Sequence, residues 1–524
     1  MPPSLTQRFS GLSALVLLMV IAIALSFLFF LPQSLRLDES QSLWQSGHSL
    51  SGILFIVAQD VHVPLYHFLL HGWQVLVGTG VNQVRLLSLF FFIASIPALY
   101  TLTRYAFRNE RLALFSAFLF TISPFMNWYG NELRMYSLLT LLTIINQYFF
   151  LRLYRERGIT KRGIWLGYLL TSILGIYTHY FFFLSLGAQA VFYLVHRREY
   201  VAGTLRRFLG VMVITLVTFI PWLWYVLSLG SASNSRPLIP APSLITLFNT
   251  FSNFLFGFQT DRINSLLLSL WPLLMLFGFL ALRRDKKIET EAGFFLYLLV
   301  LPILVTFLAS YLIRPVYLSR YLILTLPALY ILLAWLLARY QATTGAVVRN
   351  TLVGVMIITF IIQTVSAQTP VKEDYRQATA YLEANATVRD IIVVSAPFTV
   401  YPIEYYYRGN ARITTLPIWD RSQVGPIPAF AAETLDADVK ATIDKYQNIW
   451  VLLSYDQGYE EAVRLYFDTR YEKLQTVNFS PGMTLYEYRL RYDEADIESK
   501  TKAILTSLRA PLNQERILST TGQR

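Results

Sequence analysis

The sequence contains no cysteine and few charged residues. The absence of cysteine excludes disulfides, thiolate metal sites, Cys nucleophiles and iron–sulfur clusters. Only 15% of the 524 residues are charged and 55% are apolar, whereas a soluble domain has about 25% charged residues. This composition excludes a disordered chain and argues against a wholly soluble protein. Phosphate-binding glycine loops, dinucleotide fingerprints and nucleophile elbows are also missing, so nothing indicates an ATP-driven reaction.

Apolar stretches of spanning length occur along the first two thirds of the chain. Eleven of them are long enough for transmembrane helices, at about 12–31, 83–104, 111–127, 135–153, 164–178, 180–195, 207–229, 264–282, 292–313, 322–338 and 350–367. The first is longer than the apolar core of a signal peptide and no small-residue cleavage site follows it. We therefore expect it to be retained as a span.

The distribution of Lys and Arg predicts the orientation of these spans. The loops 104–111, 152–162, 196–207, 283–287 and 339–349 carry 18 basic residues, and the opposite loops carry seven. The positive-inside rule then places the N-terminus in the cytoplasm and everything after 367 outside, as expected for a multi-pass protein of a bacterial plasma membrane. The net charge of +12 reflects these cytoplasmic loops, and we expect no nucleic-acid partner.

The segments outside the membrane have structure of their own. Leu50–Ala58, Leu65–Val77 and Ser243–Phe258 are predicted to be helices at the membrane interface. We predict a membrane domain over 1–367 with functional outer loops at 32–82 and 128–134. A small extracytoplasmic α/β domain follows at 368–491, and a flexible tail at 492–524. Its predicted helices are Asp374–Ala384, Ala431–Tyr446 and Tyr459–Asp468, and its predicted strands are Ile391–Ser395, Trp450–Ser454 and Met483–Leu490.

The adjacent carboxylates Asp38 and Glu39 follow the first predicted span. An Asp at a membrane surface can act as a general base toward a hydroxyl, while its neighbour is held by a partner. The alternative is a solvated acidic pair beside a helix.

A second group of candidates, Glu132, Arg134 and Tyr136, lies at the start of the fourth span, on the same side as Asp38. An Arg at the boundary between acyl chains and headgroups can hold a lipid phosphate through two donors. The alternative is an interfacial Arg that pairs with Glu132.

Two further sites contain His and Arg. His67 and His71 have the spacing of a shared metal ligand pair, but no Glu lies between them, and we expect interfacial histidines rather than a metal site. Arg320 lies at the outer end of a span, where it either contacts a phosphate or anchors the helix at the interface.

These motifs together resemble one family. Leu-Asp-Glu after the first span, Asp60-Val61-His62-x-Pro64-Leu65-Tyr66 and Glu132-x-Arg134-Met135-Tyr136 are similar to the family 39 glycosyltransferases, relatives of protein O-mannosyltransferases and lipid A aminoarabinose transferases in the GT-C superfamily. The resemblance covers residues 1 to about 340 and continues more weakly at Lys372-Glu373-Asp374-Tyr375. The chain departs from the common pattern at Val63, at Gly130-Asn131 and at Leu133, but keeps the acid and the Arg.

The resemblance implies a fold, a reaction and roles for these residues. The fold would be a GT-C helical membrane protein, and the reaction would transfer a hexose or pentose from a polyprenyl phosphate to a hydroxyl of a glycan, lipid or protein, with inversion. Asp38 would be the base and Arg134 the first phosphate ligand, with Arg320 as a weaker second one. Glu39 and Glu132 would orient these groups, and His62 would shape the first outer loop. Some members of the superfamily use a divalent ion, but we predict no metal and no other cofactor for this chain.

Two other functions are compatible with the residues. A transporter of a lipid-linked sugar would also need charges at membrane depth, but it would often show two related halves, and no internal repeat is visible. A structural or receptor protein would use its outer domain to bind a partner. The clustering of ionisable residues at one face favours the enzyme.

Overall fold

The structure is a computed structural model that describes residues 5–157, 161–199, 203–229, 239–269, 289–339, 343–367, 369–421, 427–443 and 445–490. The described residues form two compact units. The first consists of 5–32, 46–229 and 239–366, and the second of 33–45 and 367–490, apart from the gaps between the described ranges. The predicted tail at 492–524 lies outside the described residues.

Helices make up the first unit. They are α1 (Leu5–Leu25), α3 (Leu50–Ala58), α4 (Leu65–Val77), α5 (Val81–Phe107), α6 (Glu110–Thr121), α7 (Pro124–Asn131), α8 (Tyr136–Arg155), α9 (Arg162–Thr178), α10 (Phe182–Val195), α11 (Thr204–Ser228), α12 (Leu244–Phe256), α13 (Thr290–Leu312), α14 (Leu326–Arg339) and α15 (Thr343–Val365). A π-helical turn, Ser26–Phe30, extends α1, and a 3₁₀ helix, Ser319–Thr325, precedes α14. The helix α2 (Leu37–Ser46) joins the two units in sequence.

Six described helical segments are long and apolar enough to cross a membrane, and a bent helix pair raises the number to seven. The bent pair is α6 and α7, which meet at 64° within the stretch that we predicted as one span, 111–127. Helix α8 is less apolar and α9 and α10 are shorter than such spans. The predicted span 264–282 lies outside the described residues from 270 onward, so the total of eleven stays a prediction.

For several elements, the bounds predicted from local sequence patterns agree with the structure residue for residue. The interface helices Leu50–Ala58 and Leu65–Val77 have the predicted bounds, and the helix predicted at Ser243–Phe258 covers Leu244–Phe256. Ser243 begins the last of these with a reciprocal capping pair, because its side chain accepts from the backbone N–H of Thr246 and Thr246 bonds back to Ser243.

A five-stranded sheet forms the centre of the second unit. The strands are β1 (Ile391–Ser395), β2 (Arg412–Thr415), β3 (Asn448–Ser454), β4 (Tyr471–Ser480) and β5 (Met483–Leu490), in the order β2-β1-β3-β5-β4. The first three are parallel, and β5 pairs antiparallel with β3 and β4. The helices are α16 (Tyr375–Asn385), α17 (Val400–Tyr406), α18 (Ala432–Thr442) and α19 (Glu460–Arg470).

Side chains alternate between the two faces of the sheet along each strand. Helices cover both faces, so each face forms a hydrophobic core. Val393 and Val451 pack with Val439 of α18 and Phe467 of α19, and the intervening residues face a second core with α16 and α17. The predicted fold class, a helical membrane protein with a small C-terminal α/β domain, is confirmed.

Candidate active site

The bend between α6 and α7 places the segment that carries Glu132 and Arg134. Pro124 is the first residue of α7 and disfavours helical backbone at Ser123, whose side chain instead accepts from Met126 N–H at 3.0 Å. The Asn127 amide donates to the carbonyls of Thr121 and Ser123 at 2.7 and 2.8 Å. These bonds satisfy carbonyls at the end of α6, so the bend leaves few backbone groups without partners.

Helix α7 packs closely against α5. A Cβ atom at Gly130 would lie 2.8 Å from Cγ of Phe92, so only glycine fits at this distance. Four residues further on, the carbonyl of Arg134 accepts from Ser88 Oγ of α5 at 3.4 Å. The segment 130–134 is therefore fixed against α5 at both ends.

Arg134 lies at one end of a chain of three polar side chains, of which Arg134 and His62 are buried and Asp60 is partly exposed. Its Nη2 is 2.5 Å from Nε2 of His62, and Nδ1 of His62 is 2.9 Å from Oδ2 of Asp60. Because a guanidinium only donates, Nε2 must accept and Nδ1 must carry the proton that it donates to Asp60. The carboxylate thus fixes the imidazole, and the imidazole fixes a guanidinium that is 4% exposed.

Two further histidines near Arg134 remain neutral at physiological pH. Burial lowers the pKa of His67 to about 3, helped by His62 and Arg134 and opposed by Asp60. Burial also lowers the pKa of His179 to about 3, helped by His62, Arg134 and Arg320. The positive charge in this region therefore belongs to the two arginines.

Tyr136 marks the region where the two arginines converge. Its electrostatic neighbours are Arg320, Arg134, Tyr321 and Glu132. Tyr136 is fully buried, and its hydroxyl has no hydrogen-bond partner among the described residues. Since buried hydroxyls normally bond to something, this one is suited to a ligand oxygen.

Glu39 and Asp38 belong to the second unit and have different surroundings. Oε2 of Glu39 accepts from the backbone N–H of Arg36 at 2.9 Å, which stabilises the first turn of α2, and Glu39 is 1% exposed. Asp38 is partly exposed. The backbone N–H of Leu37 donates to Oε2 of Glu373 at 3.4 Å, so the motif 372–375 contacts the start of this helix.

Other residues of the second unit hold the segment 33–45. The hydroxyl of Tyr406 accepts from Leu35 N–H at 2.7 Å. At the other end of the segment, the Trp44 ring contacts Tyr401 at 5.2 Å, and the Arg421 guanidinium lies 5.2 and 5.1 Å from these two rings. The backbone of α2, which carries Asp38 and Glu39, therefore depends on the α/β fold for its position.

No metal site is apparent within the described ranges. They contain no group of three His, Asp or Glu residues placed to bind one ion. His71, which could have paired with His67, instead places Nδ1 2.9 Å from the carbonyl of Ser46.

The structure brings five of the seven predicted site residues together: His62, Glu132, Arg134, Tyr136 and Arg320. Asp38 and Glu39 lie in the other unit, and the functional role of each of the seven stays a prediction. Sequence reasoning did not assign Asp60, His67 and His179 to the site. The spacing Asp60-x-His62 was the signal that could have indicated Asp60. His179 comes near Arg134 only through tertiary contacts, which the sequence does not reveal.

Comparison with known proteins gives a family match over part of the chain. Residues 61–225 match the sequence model of the dolichyl-phosphate-mannose-protein mannosyltransferases. This range contains His62, Glu132, Arg134 and Tyr136. No curated protein matches the chain in sequence.

Solved structures match over nearly the whole chain. The apo form of ArnT from Cupriavidus metallidurans is 15% identical, with a TM-score of 0.60, over 91% of this chain and 98% of that one. The same protein bound to undecaprenyl phosphate is 14% identical, with a TM-score of 0.55, over 90% and 97%. Archaeal oligosaccharyltransferase AglB from Archaeoglobus fulgidus, in complex with an inhibitory peptide and a dolichol-phosphate, is 13% identical, with a TM-score of 0.51, over 94% and 75%.

These likenesses define the class of protein. The chain has the GT-C fold and is a multi-pass membrane protein of the GT-C glycosyltransferase superfamily, which includes protein O-mannosyltransferase-like members. The resemblance proposed from the sequence motifs is confirmed at this level.

Proposed function

We propose that this protein transfers a sugar from a polyprenyl-phosphate donor to an acceptor hydroxyl on the extracytoplasmic side of the membrane. The observation that carries the proposal is the buried Arg134, fixed by His62 and Asp60 beside Arg320 and the Tyr136 hydroxyl. Guanidinium groups and a hydroxyl donor suit a phosphate in a place with little water. Donors of this type are also supported by the polyprenyl phosphates bound to ArnT and AglB.

In the proposed reaction the acceptor oxygen attacks the anomeric carbon as the bond from that carbon to the phosphate oxygen breaks. The phosphate leaves with the bonding electrons, and Arg134 and Arg320 stabilise its negative charge. Asp38 takes the proton of the acceptor hydroxyl, a role that rests on the family resemblance. A single displacement from the face opposite the phosphate gives inversion.

We also propose that the reaction needs no metal ion. A monophosphate leaving group carries limited charge, and two arginines are available to neutralise it. Preincubation with EDTA should therefore leave the turnover rate unchanged within experimental error. Loss of turnover that Mg²⁺ or Mn²⁺ restores would contradict this part of the proposal.

The direct test is transfer of a radiolabelled sugar by the purified, detergent-solubilised protein. A panel of polyprenyl-phosphate sugars, both hexoses and pentoses, is offered with crude membrane acceptors to the wild type, Asp38→Asn and Arg134→Ala. We expect turnover by the wild type, loss of turnover with retained lipid binding in Asp38→Asn, and weakened lipid binding in Arg134→Ala.

The bent pair α6 and α7 is one feature that also occurs in transporters, whose helices are often interrupted. The same preparation in liposomes separates the two functions. A wild-type protein that moves the lipid-linked sugar between leaflets but never transfers it would establish a transporter and exclude Asp38 as a base.

A further inference from the structure

A second polar region lies at the opposite end of α5 and α8 from Arg134. Helix α5 contacts Arg134 at Ser88 and reaches Arg104 sixteen residues later, about 24 Å along the helix axis. Helix α8 begins with Tyr136 and ends with Arg155, about 28 Å further on. Arg104 and Arg155 therefore lie at the side of the membrane opposite Arg134. The distribution of basic residues predicts this to be the cytoplasmic side.

A cavity of about 490 Å³ occupies this end of the helices. Its lining includes three arginines, three tyrosines and a single carboxylate, that of Glu156. This volume lies within the range of about 300–1,000 Å³ typical of small-molecule sites. The tyrosine rings and hydroxyls offer both apolar contact and hydrogen-bond donors.

Two carboxylates near the cavity, those of Glu156 and Glu291, are paired with arginines. Glu156 accepts from Arg152 at 2.8 Å, and Arg155 is held by Glu291 at 2.8 Å and by the carbonyls of Tyr105 and Ala106. The hydrogen bond from the Tyr100 hydroxyl to Glu110 is 3.5 Å long, and Glu110 is not among the lining residues.

Arg104 and Arg108, in contrast, form no ion pair with a carboxylate of the described residues. Arg104 contacts the Tyr100 hydroxyl at 3.5 Å and lies over its ring at 5.9 Å, and Arg108 ends α5 in a left-handed conformation. Both side chains are exposed at the cavity. Two guanidinium groups without acidic partners, next to tyrosine hydroxyls, favour an anion with several oxygens.

The geometry points to a second phosphate-binding site here, separate from the proposed active site, and its position favours the headgroup of an anionic phospholipid of the cytoplasmic leaflet. Basic pockets between transmembrane helices on that side are suited to such headgroups. The Arg104 and Arg108 side chains bind the phosphate oxygens, and the tyrosines contact the polar part of the headgroup. A soluble phosphate ester has the same binding chemistry, so the experiment must distinguish the two sources.

The test uses the purified full-length protein in detergent and short-chain lipids that dissolve as single molecules. Dioctanoyl phosphatidylglycerol is titrated calorimetrically into the wild type and into Arg104→Ala/Arg108→Ala. The matched control is Arg111→Ala/Arg162→Ala, which removes two exposed arginines on the same side of the membrane that do not line the cavity. We expect saturable binding to the wild type and a loss of about thirtyfold in the first variant, or about fivefold per arginine. The control should change affinity less than twofold.

Further arms identify the ligand and the site. Dioctanoyl phosphatidylcholine should bind more weakly than phosphatidylglycerol, and Arg134→Ala should leave phosphatidylglycerol binding intact. Glycerol phosphate that binds as tightly as the lipid would identify a soluble phosphate ester as the ligand of the same two arginines. Equal losses in both double variants, binding that Arg134→Ala abolishes, or no saturable binding would overturn the proposal. Melting temperatures measured without lipid check that each variant is folded.

Discussion

At the scale of single residues, the candidate site depends on the positive charge of Arg134, which deprotonation does not remove at any physiological pH. The Arg134 guanidinium stays protonated even when buried, and it is aligned by the Nε2 atom of His62. His67 and His179 contribute no charge because burial keeps them neutral. Two predictions at this scale concern the geometry of the Arg134 side chain and the role of Asp38 as a base.

Replacement of Arg134 by Lys tests the geometry of the phosphate contact. Lysine keeps the charge but lacks the planar pair of donors, so we expect kcat/KM between that of the wild type and that of Arg134→Ala. Arg134→Ala should lower kcat/KM by about 10²–10³-fold, the usual effect of removing one donor to a developing charge. Arg262→Ala, an exposed arginine predicted to lie on the same side, should change it less than twofold. Full activity in Arg134→Ala would exclude the phosphate role.

The neighbouring carboxylates should respond differently to conversion into amides. Asp38→Asn removes the proposed base, and we expect kcat to fall by about 10²–10⁴-fold while the donor lipid still binds. Glu39→Gln keeps a carbonyl oxygen that can accept from Arg36 N–H, so kcat should fall less than tenfold. Steady-state kinetics and lipid binding are measured on both variants. The reverse order of effects would make Glu39 the base.

At the scale of helices and strands, the close contact of α7 with α5 controls the site. A methyl group at Gly130 would collide with Phe92, so Gly130→Ala must displace α7 and the residues that follow it. We expect a lower melting temperature, with a stability loss of about 1–3 kcal/mol, and a lower kcat/KM. Gly187→Ala is the control, because α10 leaves nothing within 4 Å of the added methyl. It should leave activity unchanged and raise stability slightly. A Gly130→Ala protein with wild-type melting and kinetics would show that this contact is not restrictive.

At the scale of the whole molecule, stability should depend on pH through Lys372. Burial, assisted by the charge of Arg36, lowers the pKa of Lys372 to about 8, whereas an unfolded lysine has a pKa of about 10.4. Between these values the unfolded chain binds more protons, so the free energy of unfolding rises with pH from about 8 to 10.4 and the penalty is complete below 8. Lys372→Met should therefore raise the melting temperature more at pH 7 than at pH 10.

The control for this prediction is Lys440→Met, since Lys440 is exposed and paired with Asp436 at 3.0 Å. It should lose a weak surface ion pair and show no such pH-dependent gain. If the melting temperatures of Lys372→Met and the wild type differ equally at both pH values, Lys372 is charged in the folded protein over this range.

The local pattern of the sequence determined the elements that are marked by a run of mainly apolar residues. The apolar runs Leu50–Ala58 and Leu65–Val77 and the strand Ile391–Ser395 have the predicted bounds. The motifs around His62 and Arg134 also indicated the superfamily, because their order along the chain and common side of the membrane are visible without a structure. The strands Arg412–Thr415 and Tyr471–Ser480 were not predicted, since polar edge strands are stabilised by pairing with a neighbour rather than by a hydrophobic pattern.

Tertiary structure decided what long-range contacts control. The proline at 124 converts one predicted span into two helices, because the caps at Ser123 and Asn127 satisfy the interrupted backbone. The segment 33–45 joins the second unit through Glu373, Tyr406 and Tyr401, which lie more than 330 residues away in sequence. The pairing of His62 with Arg134 crosses 72 residues. Such contacts depend on how separate elements pack, which no local periodicity specifies, so only the folded chain defines the candidate site.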